Sequence, residues 1–181
     1  MPTAQAIKKC PNIILVPVNM ALYKQVSAQI HQIFQRYTDI IEPLSLDEAY
    51  LDVTHCQKCS GSATWIAQEI RQAIFDELHL TASAGVAPLK FLAKIASDMN
   101  KPNGQFVIKP NEVSEFIKTL SLNKIPGVGK VTSQRLLDMG LETCADIQNF
   151  DQIVLLNQFG KAGKRIWDFS HGIDDREVQA H

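Results

Sequence analysis

The stretch EPLSLDEAYLDVT, residues 42–54, sets two carboxylates, Asp47 and Glu48, side by side between two short runs of strand-forming residues. Neighbours on a straight strand point to opposite faces, but at a hairpin turn both side chains can converge on one point. Two carboxylates about 4 Å apart repel by about 4 kcal/mol at an effective dielectric of roughly 20, so such a pair needs a divalent cation, a shared proton or full solvation. Hard oxygen ligands that retain water suit Mg²⁺ rather than zinc. Solvation is the plainer alternative, since Asp and Glu are ordinary turn residues and no Lys or Arg lies within that hairpin. Spacing alone leaves both readings open.

A second stretch, KIPGVGKVTSQRLLDMG at 124–140, carries a different chemistry. Pro126, Gly127 and Gly129 predict a tight turn that delivers the chain into a helix starting near Lys130. The free N–H groups of that helix's first turn and its dipole favour an anion, and the glycines let a sugar-phosphate backbone approach without a Cβ in the way. With a short helix over 112–119 before it and a helix ending at Gly140 after it, the pattern is helix-hairpin-helix, which contacts DNA phosphates without reading bases. A mere helix-to-helix turn is the alternative. A weaker Gly and Lys rich turn at 160–164 offers a second backbone clamp. HCQKC at 55–59 has the spacing of a zinc knuckle, but zinc takes four ligands and no second close pair exists; a reduced loop leading into a helix is the better reading.

The elements that must position these residues follow from periodicity. From Asn19, a candidate N-cap, Leu22, Val26, Ile30, Ile33 and Tyr37 recur at helical spacing. IIEPLSL and AYLDVT read as two strands with the acidic pair at their junction. Ser60 or Ser62 can cap a helix carrying Ile66, Ile70, Ile74 and Leu78, and LTASAGVA then reads as a strand whose small residues allow close approach. Pro88 opens a helix with Leu92, Ile95 and Met99 toward the core and Lys90, Lys94 and Ser97 on the other side; KPNG ends it and QFVI returns as a strand. The fold class is α+β: a partial ferredoxin-like arrangement, an antiparallel sheet with helices on one face, followed after residue 109 by a small all-helical region. The only candidate for a strand before the first long helix is IILVPV at 13–18, and Pro17 suits an edge better than a sheet centre.

Composition agrees with one good core and a small second one: 181 residues, 45% hydrophobic and 20% charged. No apolar run approaches a membrane span, the first ten residues have no apolar segment fit for a signal peptide, and four scattered cysteines make no disulfide scaffold. These features predict a soluble, cytoplasmic protein. The net charge of −1 hides an uneven distribution. Residues 41–85 hold two basic side chains against seven acidic ones, whereas residues 86–135 hold eight basic against three acidic. An acidic zone adjoining a basic one suits cations beside phosphates.

SLDEAYLDVT, SAGVAPLKFLAKIASDMNKPNGQFVI and IPGVGKV, in that order, resemble the Y-family translesion DNA polymerases of the DinB, or DNA polymerase IV, type. The resemblance runs along nearly the whole chain. It implies template-directed DNA synthesis across lesions, with primer-template DNA and a dNTP as partners and two Mg²⁺ ions as cofactor. It assigns Asp47 and Glu48 to catalytic metal binding in a palm, Lys101 to the triphosphate of the incoming nucleotide, and Gly127, Gly129 and Lys130 to a thumb that grips duplex backbone. On this reading residues 1–18 are a remnant of the fingers, 19–109 the palm, 110–174 the thumb, and 175–181 the start of a linker.

The departures from the family pattern set further expectations. The N-terminal strand that carries another metal-binding Asp and the ribonucleotide-excluding aromatic has no counterpart, most of the fingers are missing, and Met1 reads as an internal start or an artificial boundary. The C-terminal little finger and the peptide that docks on the sliding clamp are absent too. Two-metal phosphoryl transfer shares its cations among three carboxylates in this family. With Asp47 and Glu48 alone, weak Mg²⁺ binding and negligible nucleotide addition are expected, so a catalytically silent DNA-backbone-binding fragment is the alternative function. A nucleotide cyclase would also use paired carboxylates on a hairpin, but the phosphate-clamping turn argues against it. A missing central strand further predicts marginal stability or self-association, which size-exclusion chromatography reads directly.

Overall fold

In the computed structural model, which describes residues 1–180, nine α-helices and four short strands alternate in the first half and give way to helices alone in the second. A short helix α1 (Thr3–Lys9) precedes the long α2 (Met20–Phe34), whose N-cap Asn19 accepts the Leu22 N–H at 3.1 Å. Strands β1 (Ile41–Pro43) and β2 (Ala49–Leu51) flank the acidic turn, and α3 (Ala63–Leu78) starts at Ser62, which accepts the Trp65 N–H. Then come β3 (Ala84–Val86), α4 (Lys90–Met99) and β4 (Gln105–Val107). The helical half consists of α5 (Val113–Thr119), α6 (Lys130–Asp138), α7 (Cys144–Gln148), α8 (Gln152–Phe159) and α9 (Lys161–Ser170).

The α+β class stands, but the strand pairing is more divided than a single antiparallel sheet. β1 and β2 pair antiparallel, with Glu42 opposite Tyr50, while β3 and β4 pair parallel, with Gly85 opposite Phe106. The two pairs share no ladder, and one strand of each, β2 and β3, lines one wide cleft. IILVPV at 13–18 forms no strand: Ile14, Val16 and Val18 are 85%, 78% and 69% exposed. Pro17 lacks the N–H that a ladder needs, and without a partner edge the apolar run gains nothing by extending.

The small residues of β3 serve the close approach expected of them. A Cβ built on Gly85 would lie 2.1 Å from the Ala93 carbonyl oxygen and 2.3 Å from the Ser97 backbone nitrogen, so β3 packs backbone to backbone against α4. That contact fixes the height of α4 over the sheet and thereby the position of its lysines. The helix begins at Lys90, two residues after Pro88, and Met99 is 48% exposed rather than core-facing.

Two buried clusters hold the molecule. The smaller one joins Ile33 of α2 to Ile66, Ile70 and Ile74 of α3. The larger one takes Phe91, Leu92, Ile95 and Ala96 from α4 and continues without a break into Ile117, Leu136, Leu155, Ile166 and Phe169 of the helical half. At its centre the rings of Phe91 and Phe169 stack at 4.3 Å with planes 4° apart. The hydrophobic core therefore crosses the point at which strands stop appearing in the sequence.

Candidate active site

The acidic turn is closed by its own backbone: the N–H groups of Leu44 and Ser45 both donate to the Glu48 carbonyl oxygen, at 2.8 and 3.2 Å. The Ser45 hydroxyl donates to Asp47 Oδ1 at 2.5 Å, and its oxygen accepts the Asp47 N–H at 3.3 Å. These contacts fold residues 44–48 into a bend that presents Asp47 and Glu48 to the same cleft. A positive charge already faces the pair. Lys94, from the polar side of α4, makes an ion pair with Glu48 across 46 positions of sequence.

One turn earlier on α4, Lys90 is the most enclosed cation of an ion pair in the molecule, its side chain 9% exposed. Its Nζ lies 2.6 Å from Glu42 Oε2, donates to the Glu177 carbonyl oxygen at 2.9 Å, and stands 5.0 Å above the Tyr50 ring. Burial pushes the Tyr50 hydroxyl above its ordinary pKa, so it stays neutral. The segment after α9 completes this corner. Asp174 accepts the Phe91 N–H at 3.0 Å and pairs with Arg176 at 2.6 Å, and Glu42 accepts the Gln179 N–H at 2.7 Å.

Lys101 sits on the loop that follows α4, paired with Asp98 at 2.5 Å. That hydrogen bond, with the charge of the same carboxylate and smaller contributions from Glu48 and Asp47, lifts its ammonium above the usual lysine range. The loop is tied down from the side. Arg71 of α3 donates to the Ala82 carbonyl at 2.9 Å and to the Asn103 carbonyl at 2.6 Å, and Gly104 has its Cα so near Asn100 that a Cβ would meet the carbonyl oxygen at 1.8 Å. Asp47, Glu48, Lys94 and Lys101 thus line one cleft of about 1550 Å³. That exceeds the roughly 300–1,000 Å³ typical of a small-molecule site, leaving space for an extended ligand.

The donor set at the turn fits a hard divalent cation on one side. Asp47 and Glu48 offer carboxylate oxygens at a site open to water, as Mg²⁺ prefers, and the cation would compete with Lys94 for Glu48. Among the described residues no group of three His, Cys, Asp or Glu side chains gathers to complete a cage. Cys56 and Cys59 pack against the smaller apolar cluster.

At the far end of the molecule, the turn of residues 125–129 is closed by the Val128 N–H donating to the Ile125 carbonyl at 3.0 Å, and α6 follows with Gly129 as N-cap. Gly127 has φ +89°, a region that side-chain-bearing residues avoid. A Cβ on Gly129 would meet nothing within 4 Å, so its surface is open from outside. Ile125 and Leu136, 2% and 0% exposed, anchor the turn from within. A cleft of about 360 Å³ lies against the first turn of α6, bounded by Asn123, Gly129, Lys130 and Ser133. Gly160, φ +54°, makes the corresponding corner between α8 and α9.

All six residues singled out by sequence therefore fall into two places, Asp47, Glu48 and Lys101 in the large cleft and Gly127, Gly129 and Lys130 at the hairpin. Sequence reasoning missed the partners of the first group. Lys90, Lys94 and Ser97 recur at i, i+4 and i+7, a visible signal of one polar face, but nothing in the spacing names Glu42 and Glu48 as what they meet. Arg176 and Asp174 carried no signal at all.

Comparison with known proteins adds a frame. Residues 1–98 match the model of the impB/mucB/samB family, and residues 123–174 match that of the DNA polymerase-iota thumb domain. The chain is 76% identical over all 181 residues to the DNA polymerase IV of Mannheimia succiniciproducens and 74% identical to that of Pasteurella multocida, and it spans 51% of the length of each. It superposes on DinB from Sulfolobus solfataricus with a TM-score of 0.92 at 35% identity, covering 99% of this chain and 53% of that one. An insertion ternary complex of Dbh DNA polymerase gives a TM-score of 0.90 at 36% identity, covering 98% of this chain and 52% of the other.

Proposed function

The chain belongs to the impB/mucB/samB family, the Y-family DNA polymerases of the DNA polymerase IV type, and from that premise we propose that it forms the palm (19–109) and thumb (110–174) of a translesion DNA polymerase. Residues 1–18 belong to the fingers and 175–181 to a linker on this reading. The observation that carries it is the shared cleft: a turn that aims two carboxylates at Lys94 and Lys101, with the glycine hairpin displayed elsewhere on the same body.

Asp47 and Glu48 hold a divalent cation, which when bound supplies charge neutralisation for phosphoryl transfer. Lys101 keeps its proton at neutral pH, since its pKa is raised, and takes the triphosphate oxygens of a dNTP. Lys94 balances Glu48 until the cation enters, which keeps the turn from springing open by repulsion. Gly127, Gly129 and Lys130 hold the phosphates of primer-template duplex. Two carboxylates without a third limit cation affinity, so the isolated chain binds DNA but adds nucleotide negligibly. That second, catalytically silent reading rests on the expectation that two carboxylates hold the cation less tightly than three.

The deciding experiment pairs binding with extension. Fluorescence anisotropy on a labelled primer-template should show salt-sensitive binding that needs no Mg²⁺, while gel-resolved primer extension with Mg²⁺ and dNTPs stays at background. Mg²⁺ titration should give weak binding that Asp47→Asn with Glu48→Gln abolishes. Robust extension by the chain alone would refute the silent reading, and Mg²⁺ binding unaffected by the double substitution would remove the carboxylate assignment.

A further inference from the structure

Several cations of this molecule are held by carboxylates. Lys90, Lys94, Lys101, Lys109, Lys118 and Lys164 are each in an ion pair with a carboxylate. Lys124 just before the hairpin, Lys130 at the start of α6, and Arg165 of α9 make no ion pair among the described residues; Lys24 and Arg71 in the first half make none either, so it is the placement of Arg165 that sets it apart. Arg165 is the unexpected member, because it lies 38 positions along the chain from the glycine it touches.

Its placement is specific. Where Gly127 would carry a Cβ, that atom would lie 2.4 Å from Arg165 Nη2, 2.8 Å from Cζ and 3.3 Å from Nη1. The guanidinium therefore covers the glycine as a side chain from a neighbouring helix, occupying space that any residue but glycine would claim. α9 brings it there by close packing: Gly163 lies so near α8 that a Cβ would stand 2.5 Å from the Leu155 carbonyl oxygen, and Ile166, 1% exposed, is fixed in the core. Arg165 itself is exposed, so its donors are not consumed by burial. An unpaired guanidinium resting on a backbone turn that offers free N–H groups is arranged for an anion that presents two oxygens side by side, such as the non-bridging pair of a phosphodiester, which it can hold bidentately.

We propose that Arg165 is a phosphate-binding residue of the hairpin, so that the grip on nucleic-acid backbone is a composite of the 127–130 backbone, Lys130 and a guanidinium delivered by α9. This rests on the reading of the hairpin as a backbone clamp and extends it to a residue outside the hairpin's own sequence. It also gives Gly127 a second duty: a side chain there would dislodge the guanidinium as well as strain the turn.

The test is the salt dependence of binding to a fluorescein-labelled duplex of random sequence, read by anisotropy with the whole chain. Arg165→Ala should lower the slope of log K against log salt by about one and weaken binding alike across duplex sequences. Arg165→Lys should restore the slope while leaving affinity below wild type, since the charge returns without the fork. In a double-mutant cycle, Gly127→Ala and Arg165→Ala should be less than additive in binding, because the first already displaces the guanidinium. An unchanged slope in Arg165→Ala while Lys130→Ala lowers it would overturn the assignment and leave the hairpin reading intact. A slope lost in both Arg165 variants together with a lower melting temperature marks a structural brace and also overturns it. If neither Arg165→Ala nor Lys130→Ala moves the slope, the hairpin reading itself falls.

Discussion

The helical half and the strand-bearing half solve the same problem with unequal success. Residues 110–170 close their apolar faces around Leu136, Leu155 and Ile166, each at 0 or 1% exposure, and borrow one face of α4 to do it. The earlier half has a smaller cluster of its own, Ile33, Ile66, Ile70 and Ile74 between α2 and α3, keeps its strands in two unconnected pairs, and leaves Leu22 and Tyr23 48% and 50% exposed beside the cleft. The lesson is that chemistry and closure are separated here: the residues proposed to meet nucleotide and metal stand in the half that is open, and they are steadied by the half that is closed.

Core truncation should expose that inequality most sharply. Leu155→Ala is expected to cost about 3–5 kcal/mol, because a fully enclosed site cannot collapse around the void, whereas Ile33→Ala should cost about 2 kcal/mol, since its cluster borders open solvent. Urea unfolding of both variants measures this. Equal costs would mean that the open half is as tightly packed as the closed one.

The joint between the halves comes next. Lys90→Ala removes the ion pair to Glu42 and the bond to the Glu177 carbonyl, leaving a largely enclosed carboxylate, for an expected loss of about 2 kcal/mol. The change should detach the 174–179 segment from β1, seen as faster amide exchange at Gln179, whose N–H donates to Glu42. Unaltered exchange there would show that Glu42 holds the segment without help from Lys90.

The smallest effect is in acid. Burial works to raise the Asp174 pKa, but the Arg176 guanidinium and the Phe91 N–H outweigh it and hold the carboxyl below its ordinary value. Backbone N–H bonds from Thr143 and Glu142 hold Asp146 low in the same sense. A carboxylate depressed in the folded state contributes stability that is complete above its unfolded pKa near 3.9 and disappears as pH falls through the depressed value. Asp174→Asn should therefore flatten the loss of stability below about pH 4, and Asp146→Asn should flatten it separately, one at the joint and one within the helical half. A slope unchanged in both would place the acid sensitivity elsewhere.

How far the sequence could be read follows from the range of each interaction. Helix starts at Asn19, Ser62 and Lys130 were legible because capping and periodicity act within a few residues. The acidic turn and the glycine hairpin were legible for the same reason. The Lys94 to Glu48 pair, the Phe91 to Phe169 stack and the Arg165 cover on Gly127 join residues 46, 78 and 38 positions apart, and no local pattern encodes them. The apolar run at 13–18 misled for a related reason. Strand propensity is realised only against a neighbouring edge, and residues 13–18 pair with none.

The Phe91 to Phe169 stack has a mechanical meaning. Phe91 sits between Lys90 and Lys94 on α4, while Phe169 lies four residues, one helical turn, beyond Arg165 on α9. The stack thus ties the helix that carries Arg165 to the helix whose lysines face the acidic bend.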